Sequence, residues 1–222
     1  MLPSQFQESS LKNALFAPSR PRASSAPRVS RRRLLLAVAA SLIAARPALA
    51  RRYEGHDFPD SLELEGRRLS LNGVGKRAVA VIKGYLAALY LPQPASSPEA
   101  IYAAAGPKKL QILMLLDVST EEFIKAVEKG VRRNCSEAEQ AEIAPSLSQF
   151  VSQLRAVGKV RNKDLIELDQ LPSQATQIRL NGRAIGAPIA GGAFYTALLK
   201  VFLGQRPVDA RLKRGLLGGS PD

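Results

Sequence analysis

The sequence predicts an α+β fold, in which helices pack against an antiparallel sheet. Extended apolar segments precede and follow a middle region whose apolar residues recur at helical spacing. Asn-Gly dipeptides, which are typical of tight hairpin turns, occur at residues 72–73 and 181–182. No internal repeat or linker is visible within residues 51–222, so we expect one domain preceded by an N-terminal extension.

Composition supports a globular domain and argues against a nucleic-acid partner. The chain has 222 residues, of which 45% are hydrophobic, and a formal net charge of +13. Residues 1–50 hold eight of the 32 basic residues and one of the 19 acidic ones, so the remainder carries only +6. Those charges are scattered, with little aromatic interleaving, which is not the pattern of a nucleic-acid surface.

Residues 1–50 have the organisation of a disordered leader followed by a signal peptide. The first thirty are rich in Ser, Pro and Arg; three arginines then precede an apolar run at 34–45 and a small-residue site at 48–50. This order predicts export by the Sec or twin-arginine route to the periplasm or beyond, with a mature chain beginning near Arg51. An N-terminal core helix or an uncleaved anchor is the alternative. After residue 50 no apolar run is long enough for a stable membrane span.

The first part of the mature chain is expected to form a polar lead-in and two short strands. Residues 51–60 form the lead-in, with His56 in a solvated loop. The strands are predicted at Ser61 to Leu64 and Arg67 to Leu71, and the Asn72-Gly73 turn follows.

Residues Arg77 to Leu91 contain no proline and are predicted to form one strand of about fifteen residues, against a usual ~5–6. Alternation places the odd-numbered residues, including Val79, Val81 and Tyr85, on one face with Arg77. The even-numbered residues from 78 to 90 lie on the other face. Because both faces are largely apolar, this strand should lie at the centre of the sheet and be covered on both sides.

The middle of the chain changes from strand to helix. We predict a short helix at Pro98 to Ala105 and a buried strand at Lys109 to Val118. Capping boxes at Ser119 and Ser136 then begin two helices, the first of which ends near Asn134. Within the first, Phe123, Val127 and Val131 form an apolar stripe. The second should be interrupted at Pro145 and stop at Gly158.

The C-terminal part is predicted to contain further strands, one hairpin turn and two helices. The strands lie at 164–168, 175–180 and 183–188, with the Asn181-Gly182 turn before the last of them. The first helix runs from Ala193 to Leu203, and Pro207 opens a basic helix that ends at Arg214.

Arg77 and Tyr85 are the most informative candidates for a binding site. An apolar cleft between sheet and helices suits an acyl chain, and one buried arginine suits a carboxylate. In one straight strand the two residues would be ~26 Å apart, so joint contact with one group requires a bend or bulge, for which Gly84 is the candidate. Arg77 in a structural ion pair or at a solvated strand end, and Tyr85 as a core aromatic, remain alternatives.

Several enzyme classes lack the residues they need. His56 is the only histidine, which excludes a Ser-His-acid set and gives a poor metal site, and no phosphate-binding glycine loop is present. The lone Cys135 cannot form an intramolecular disulfide. We expect neither a cofactor nor a metal.

Several motifs in one order resemble the chalcone isomerase-like family. They are the Asn72 to Arg77 segment, the Gly84 to Leu91 strand, the helix from Phe123 to Asn134, and the Gly191-Gly192 and Phe202 to Pro207 segments near the end. The resemblance covers about Phe58 to Gly218. It implies an open-faced β-sandwich: a long curved antiparallel sheet with a layer of helices.

The resemblance also implies where a site lies. Arg77 matches the arginine of the family's enzymes, whereas Tyr85, Phe123 and Gly130 stand where the enzymes have threonine, tyrosine and asparagine. No catalytic residue is therefore assigned. Other members of the fold bind fatty acids, with the arginine and a tyrosine on the carboxylate, which Arg77 and Tyr85 fit better.

We therefore predict an exported, non-catalytic protein that binds a fatty acid or similar amphipathic carboxylate. The predicted ligand-binding residues are Arg77, Val79, Val81, Tyr85, Phe123 and Val127. An isomerase or intramolecular lyase acting on a phenolic substrate is one alternative, and a protein-binding scaffold is another.

Overall fold

The computed structural model describes residues 50–79 and 82–220, so the predicted leader lies outside it except for Ala50. Seven strands form one sheet: β3 (Ser61–Leu64), β4 (Arg67–Val79), β5 (Ile82–Leu91), β6 (Lys108–Met114), β9 (Leu165–Gln170), β10 (Thr176–Leu180) and β11 (Arg183–Ile189). Two short ribbons pair β1 (Ala50–Tyr53) with β2 (His56–Pro59) and β7 (Val118–Ser119) with β8 (Lys159–Val160).

The seven-stranded sheet is antiparallel throughout, in the spatial order β11-β10-β9-β6-β5-β4-β3. Within the described residues, five helices accompany it: α1 (Pro98–Ala103), α2 (Thr120–Asn134), α3 (Glu137–Val157), α4 (Gly192–Leu203) and α5 (Ala210–Leu216). A curved antiparallel sheet with helices packed on it confirms the predicted α+β class. In the described part of the chain, no helix is both long and apolar enough to cross a membrane.

The central strand β5 is buried on both faces, as its sequence predicted. Tyr85, Ala87 and Leu89 join the helices in the main core. Leu86 and Tyr90 point to the opposite face, in a smaller core with β2, β3 and β4. The strict alternation along β5 therefore separates two hydrophobic cores.

The predicted turn at Asn72-Gly73 is wrong, and so is the single strand from Arg77 to Leu91. β4 runs through both residues of the dipeptide to Val79, and β5 begins at Ile82 and pairs antiparallel with it. Leu71 pairs with Tyr90 and Gly73 with Leu89, so Asn72 is the extra residue of a β-bulge.

A tertiary contact explains why Asn72-Gly73 does not turn. The Asn72 amide donates to the carbonyl of Leu216 at 2.7 Å and accepts from the Ala95 backbone at 2.7 Å. A Cβ on Gly73 would overlap the Gly215 carbonyl and lie 2.8 Å from the Gly218 nitrogen. The dipeptide therefore lets β4 and the end of α5 meet backbone to backbone.

The Asn181-Gly182 turn is confirmed. Both residues have positive φ, 52° and 78°, as a tight hairpin turn requires. The Asn181 side chain accepts from the Leu165 backbone at 2.8 Å, which ties this turn to the start of β9.

Three further expectations are wrong. α3 continues through Pro145, because Ile143 before it and Phe150 after it are both buried and hold the two halves on one core. The last helix begins at Ala210 rather than at Pro207, because the Asp209 carboxylate caps its first turn.

Residues 51–60 contain the β1–β2 ribbon, so His56 lies in a strand and is half-buried.

Helices α2 and α3 both begin at the predicted N-caps; the predicted capping box is complete at Ser136, whereas at Ser119 only the hydroxyl half of the box is seen. The Ser119 hydroxyl accepts from the Glu122 backbone, and Ser136 and Glu139 form a complete capping box. Gly158 ends α3 with φ of 77°.

Candidate functional site

The β4–β5 hairpin brings Arg77 and Tyr85 directly opposite each other. Arg77 pairs with Tyr85 and Ala78 with Lys83, which leaves Gly84 as the extra residue of a bulge. The guanidinium carbon lies 5.8 Å from the centre of the Tyr85 ring, within range of a cation–π contact. The expected bulge at Gly84 is thus present, but a hairpin rather than a bent strand removes the ~26 Å separation expected for a straight strand.

A cleft of about 450 Å³ opens above this pair, between the sheet and the helices. α2 contributes Phe123 and Val127, and α4 contributes Val201 and Phe202. Four of the six predicted residues therefore line one cavity: Arg77, Tyr85, Phe123 and Val127.

Val79 and Val81 remain predictions. Val79 is the last residue of β4, and its side chain is outside what the structure describes; Val81 is outside the described residues altogether.

Arg77 has no carboxylate counterion within the described part of the chain. Among the described residues, no carboxylate lies within 4.0 Å of its guanidinium, and its buried Nε has no hydrogen-bond partner. This geometry contradicts the structural ion pair that the sequence left open. A half-buried guanidinium with unused donors that lines an apolar cleft is suited to an anionic group.

Tyr85 is a hydrogen-bond donor over the whole physiological pH range. Burial raises the pKa of its hydroxyl well above the usual range; the Arg77 cation lowers the pKa in part, and Asp209 raises it further. No described residue makes a hydrogen bond with this hydroxyl, although the residue is only 7% exposed. A guanidinium and a protonated phenol together offer a carboxylate two kinds of donor.

The rim of the cleft carries charges that the sequence analysis missed. Glu122, Lys125 and Lys129 line it from α2, and Lys125 pairs with Glu122 at 3.0 Å. Their spacing of three and four residues places them on one helical face, a signal that was available in the sequence.

The apolar wall is also larger than predicted. Met114, Leu116, Val118 and Val208 line it in addition to the residues from α2 and α4. The sequence alone could not identify Met114 as a cleft residue, because its place there follows from its pairing with Tyr85 between β6 and β5.

Gly130 does not line the cleft; it lies behind Val201, at the contact between α2 and α4. A Cβ at this position would be 2.5 Å from the Val201 Cγ1 atom. The glycine is therefore required by helix packing.

Residues 50–218 match the family described as chalcone isomerase-like. The chain belongs to the chalcone isomerase-like family. The match spans the sheet, the helices and the cleft just described, and confirms the resemblance seen in the sequence.

A crystal structure of a fatty-acid binding protein from Arabidopsis thaliana is similar to this chalcone isomerase-like protein. The TM-score is 0.60 at 15% sequence identity, over 76% of this chain and 96% of the other. At that identity the likeness establishes the shared fold. No curated protein matches the sequence.

Among the described residues that line the cleft, Glu122 is the only one with a metal-ligating type of side chain (His, Cys, Asp or Glu). No group of three or more His, Cys, Asp or Glu residues suited to a metal ion occurs in the part of the chain that the structure describes. Its polar side chains are those of Arg77, Tyr85 and the three rim residues.

Proposed function

We propose that this chalcone isomerase-like protein is exported and binds, without transforming it, a fatty acid or similar amphipathic carboxylate. The observation that carries the proposal is the unpaired Arg77 guanidinium beside the protonated Tyr85 hydroxyl, in a cleft whose wall is apolar apart from the three charged rim residues. The carboxylate would accept from both groups, and the acyl chain would pack against Phe123, Val127 and Phe202.

Two independent lines support this assignment. The similar structure from Arabidopsis thaliana is described as a fatty-acid binding protein, which makes a bound lipid a natural use of the fold. The order of arginines, apolar run and small-residue site in residues 31–50 supports export, with maturation near Arg51.

The central test is titration with a fatty acid of the wild type, Arg77→Ala and Arg77→Lys. Loss of one charge-assisted contact of about 1.5–3 kcal/mol should weaken binding roughly ten- to a hundred-fold. Lysine should restore only part, because an ammonium cannot make the planar two-point contact. Arg67→Ala is the matched control, since it removes an exposed arginine from the same strand.

Thermal melting separates a functional role from a structural one. Arg77→Ala should fold with little loss of stability, because its guanidinium has no ion-pair partner to lose. Binding as tight as wild type, or failure to fold, would contradict the assignment. A steady loss of chalcone absorbance that depends on Arg77 would instead favour an isomerase.

The pH dependence of binding tests the Tyr85 assignment. Because the raised pKa keeps the phenol protonated, affinity should be constant from about pH 6 to about pH 9 and fall below about pH 5, where the ligand carboxylate gains a proton. A loss of affinity between pH 7 and pH 9 would show that the phenol titrates there, against the proposal.

A further inference from the structure

We call the cleft beside Arg77 and Tyr85 the ligand cleft. A second cavity, of about 460 Å³, lies at the opposite end of α2 from it. We call it the polar cleft: α1, the C-terminal ends of α2 and α4, residues 204–206 and α5 form its walls. Its lining is predominantly polar, in contrast to the wall of the ligand cleft.

The polar cleft is strongly basic. Arg133, Lys200, Arg206 and Lys213 line it, and Glu99 is its only acidic residue among the described residues. Lys200 pairs with Glu139, and Lys213 donates to the Gly204 carbonyl at 2.9 Å. The side chains of Arg133 and Arg206 make no ion pair or hydrogen bond within the described part of the chain.

The loop that carries Arg206 is held in place by one side chain. The Asn134 amide accepts from the Arg206 backbone nitrogen at 2.8 Å and donates to the Arg206 carbonyl at 3.0 Å. It also donates to the Gly130 carbonyl at 2.9 Å, which anchors the loop to α2. A Cβ on Gly204 would lie 2.7 Å from the Asn134 Cγ atom, so a larger residue there would disturb this arrangement.

Tyr102 adds a hydrogen-bond donor without an acceptor. Its hydroxyl is buried in the lining of the polar cleft and has no hydrogen-bond partner among the described residues. Burial, with Glu99 and Cys135, raises the pKa of this hydroxyl, so it remains protonated. A buried unpaired donor is unfavourable unless a ligand or water satisfies it.

We infer that the polar cleft binds a phosphate group, through the guanidinium groups of Arg133 and Arg206, the Lys213 ammonium and the Tyr102 hydroxyl. A phosphate matches these groups because it combines a charge near −2 with several acceptor oxygens, and because arginine contacts it in a planar, two-point geometry. The phosphate could belong to a free phosphate compound or to a lipid headgroup, and the two sources share this chemistry.

The test is titration of the full chain with inorganic phosphate, with pyrophosphate, and with phosphatidylcholine vesicles that contain or lack phosphatidic acid. The double variant Arg133→Gln/Arg206→Gln should bind at least about tenfold more weakly than wild type. Arg132→Gln/Arg214→Gln is the matched control, because it removes two exposed arginines from the same two regions and leaves the polar cleft intact. It should bind within about twofold of wild type.

Tyr102→Phe provides a second, independent measurement. It should weaken binding several-fold without lowering the melting temperature of the free protein, since its hydroxyl has no protein partner to lose. Binding of pyrophosphate alone identifies a free phosphate compound as the source, and binding only to vesicles with phosphatidic acid identifies a lipid headgroup.

Three results would overturn the inference. The first is that the wild type binds none of the probes. The second is that both double variants lose affinity equally, as a general effect of surface charge predicts. The third is that Tyr102→Phe binds like the wild type. Titration with a fatty acid remains a separate measurement, so this site and the ligand cleft can fail independently.

Discussion

The two Asn-Gly dipeptides of this chain have the same sequence but different structures. At 181–182 both residues take positive φ, and the chain reverses between β10 and β11. At 72–73 the chain continues along β4 through a bulge, and neither residue has positive φ. The difference arises from the surroundings: the dipeptide at 181–182 is exposed, whereas the dipeptide at 72–73 is buried against α5. Local turn preference therefore decides the conformation only where no tertiary contact competes for the same atoms.

Gly73→Ala should have the largest effect. Its Cβ would overlap the Gly215 carbonyl and approach two more backbone atoms, and backbone cannot move aside as a flexible side chain can. We expect a loss of more than about 3 kcal/mol in the free energy of unfolding, or no folded protein, measured by urea denaturation.

Two variants make this prediction falsifiable if Gly73→Ala does not express. Gly215→Ala should be similarly damaging, because its Cβ would overlap the Val74 carbonyl from the other side. Gly84→Ala is the tolerant control in the same hairpin, since its Cβ meets only the Arg77 carbonyl at 3.5 Å. Equal effects at Gly73 and Gly84 would contradict the backbone-contact explanation.

Asn72→Ala should have the next largest effect, about 2–4 kcal/mol. The substitution leaves the buried Leu216 carbonyl and the half-buried Ala95 nitrogen without their partner, at about 1–3 kcal/mol for each unsatisfied group. Chemical denaturation measures this loss in the free energy of unfolding. A loss below about 0.5 kcal/mol would contradict the prediction, because it would mean that water replaces the amide.

Gly182→Ala should cost less, about 1 kcal/mol. No atom lies within 4 Å of the added Cβ, so only the positive φ of 78° opposes the substitution. Urea denaturation of Gly182→Ala and Gly73→Ala gives the two losses of unfolding free energy. The first loss reflects backbone strain and the second reflects steric overlap, for the same Gly→Ala change. If Gly182→Ala proves the more damaging of the two, the interpretation of both dipeptides is reversed.

Asn181→Gly should have the smallest effect, about 0.5 kcal/mol. Glycine adopts the required positive φ readily, and the hydrogen bonds lost to Leu165 and Asp164 are exposed and replaced by water. Asn181→Gly should not change the affinity for a fatty acid. Asn72→Ala should lower that affinity, because Asn72 fixes β4 five residues before Arg77. Equal binding losses in both variants would argue against this link.

The sequence predicted the strand faces well because alternation is a local property of each strand. Tyr85 and Leu86 lie on the expected sides of β5, in the two expected environments. It did not predict the β4–β5 hairpin, because Ala80 and Val81, the residues between the two strands, carry no turn signal. Pairing between long strands imposes this reversal, and pairing is not a local property.

The candidate site was predicted in part for the same reason. Residue chemistry identified Arg77 and Tyr85, and helical periodicity identified Phe123 and Val127. Met114 and Val208 became visible only when the sheet register and the path of the chain after α4 were known. Chemistry and periodicity thus identified the Arg77–Tyr85 pair and part of the α2 wall, and tertiary structure was needed for the rest of the apolar wall.

The contact of Gly130 with Val201 limits the length of ligand that the proposed binding site would accommodate. Because α2 and α4 touch without a spacer at this point, one helix cannot tilt away from the cleft without moving the other. We therefore expect the two helices to move together over the sheet, because closely packed interiors deform little. For the proposed fatty-acid ligands, affinity should therefore rise with each methylene until the cavity is full. It should then fall abruptly for the first ligand that would have to displace α2 and α4 together.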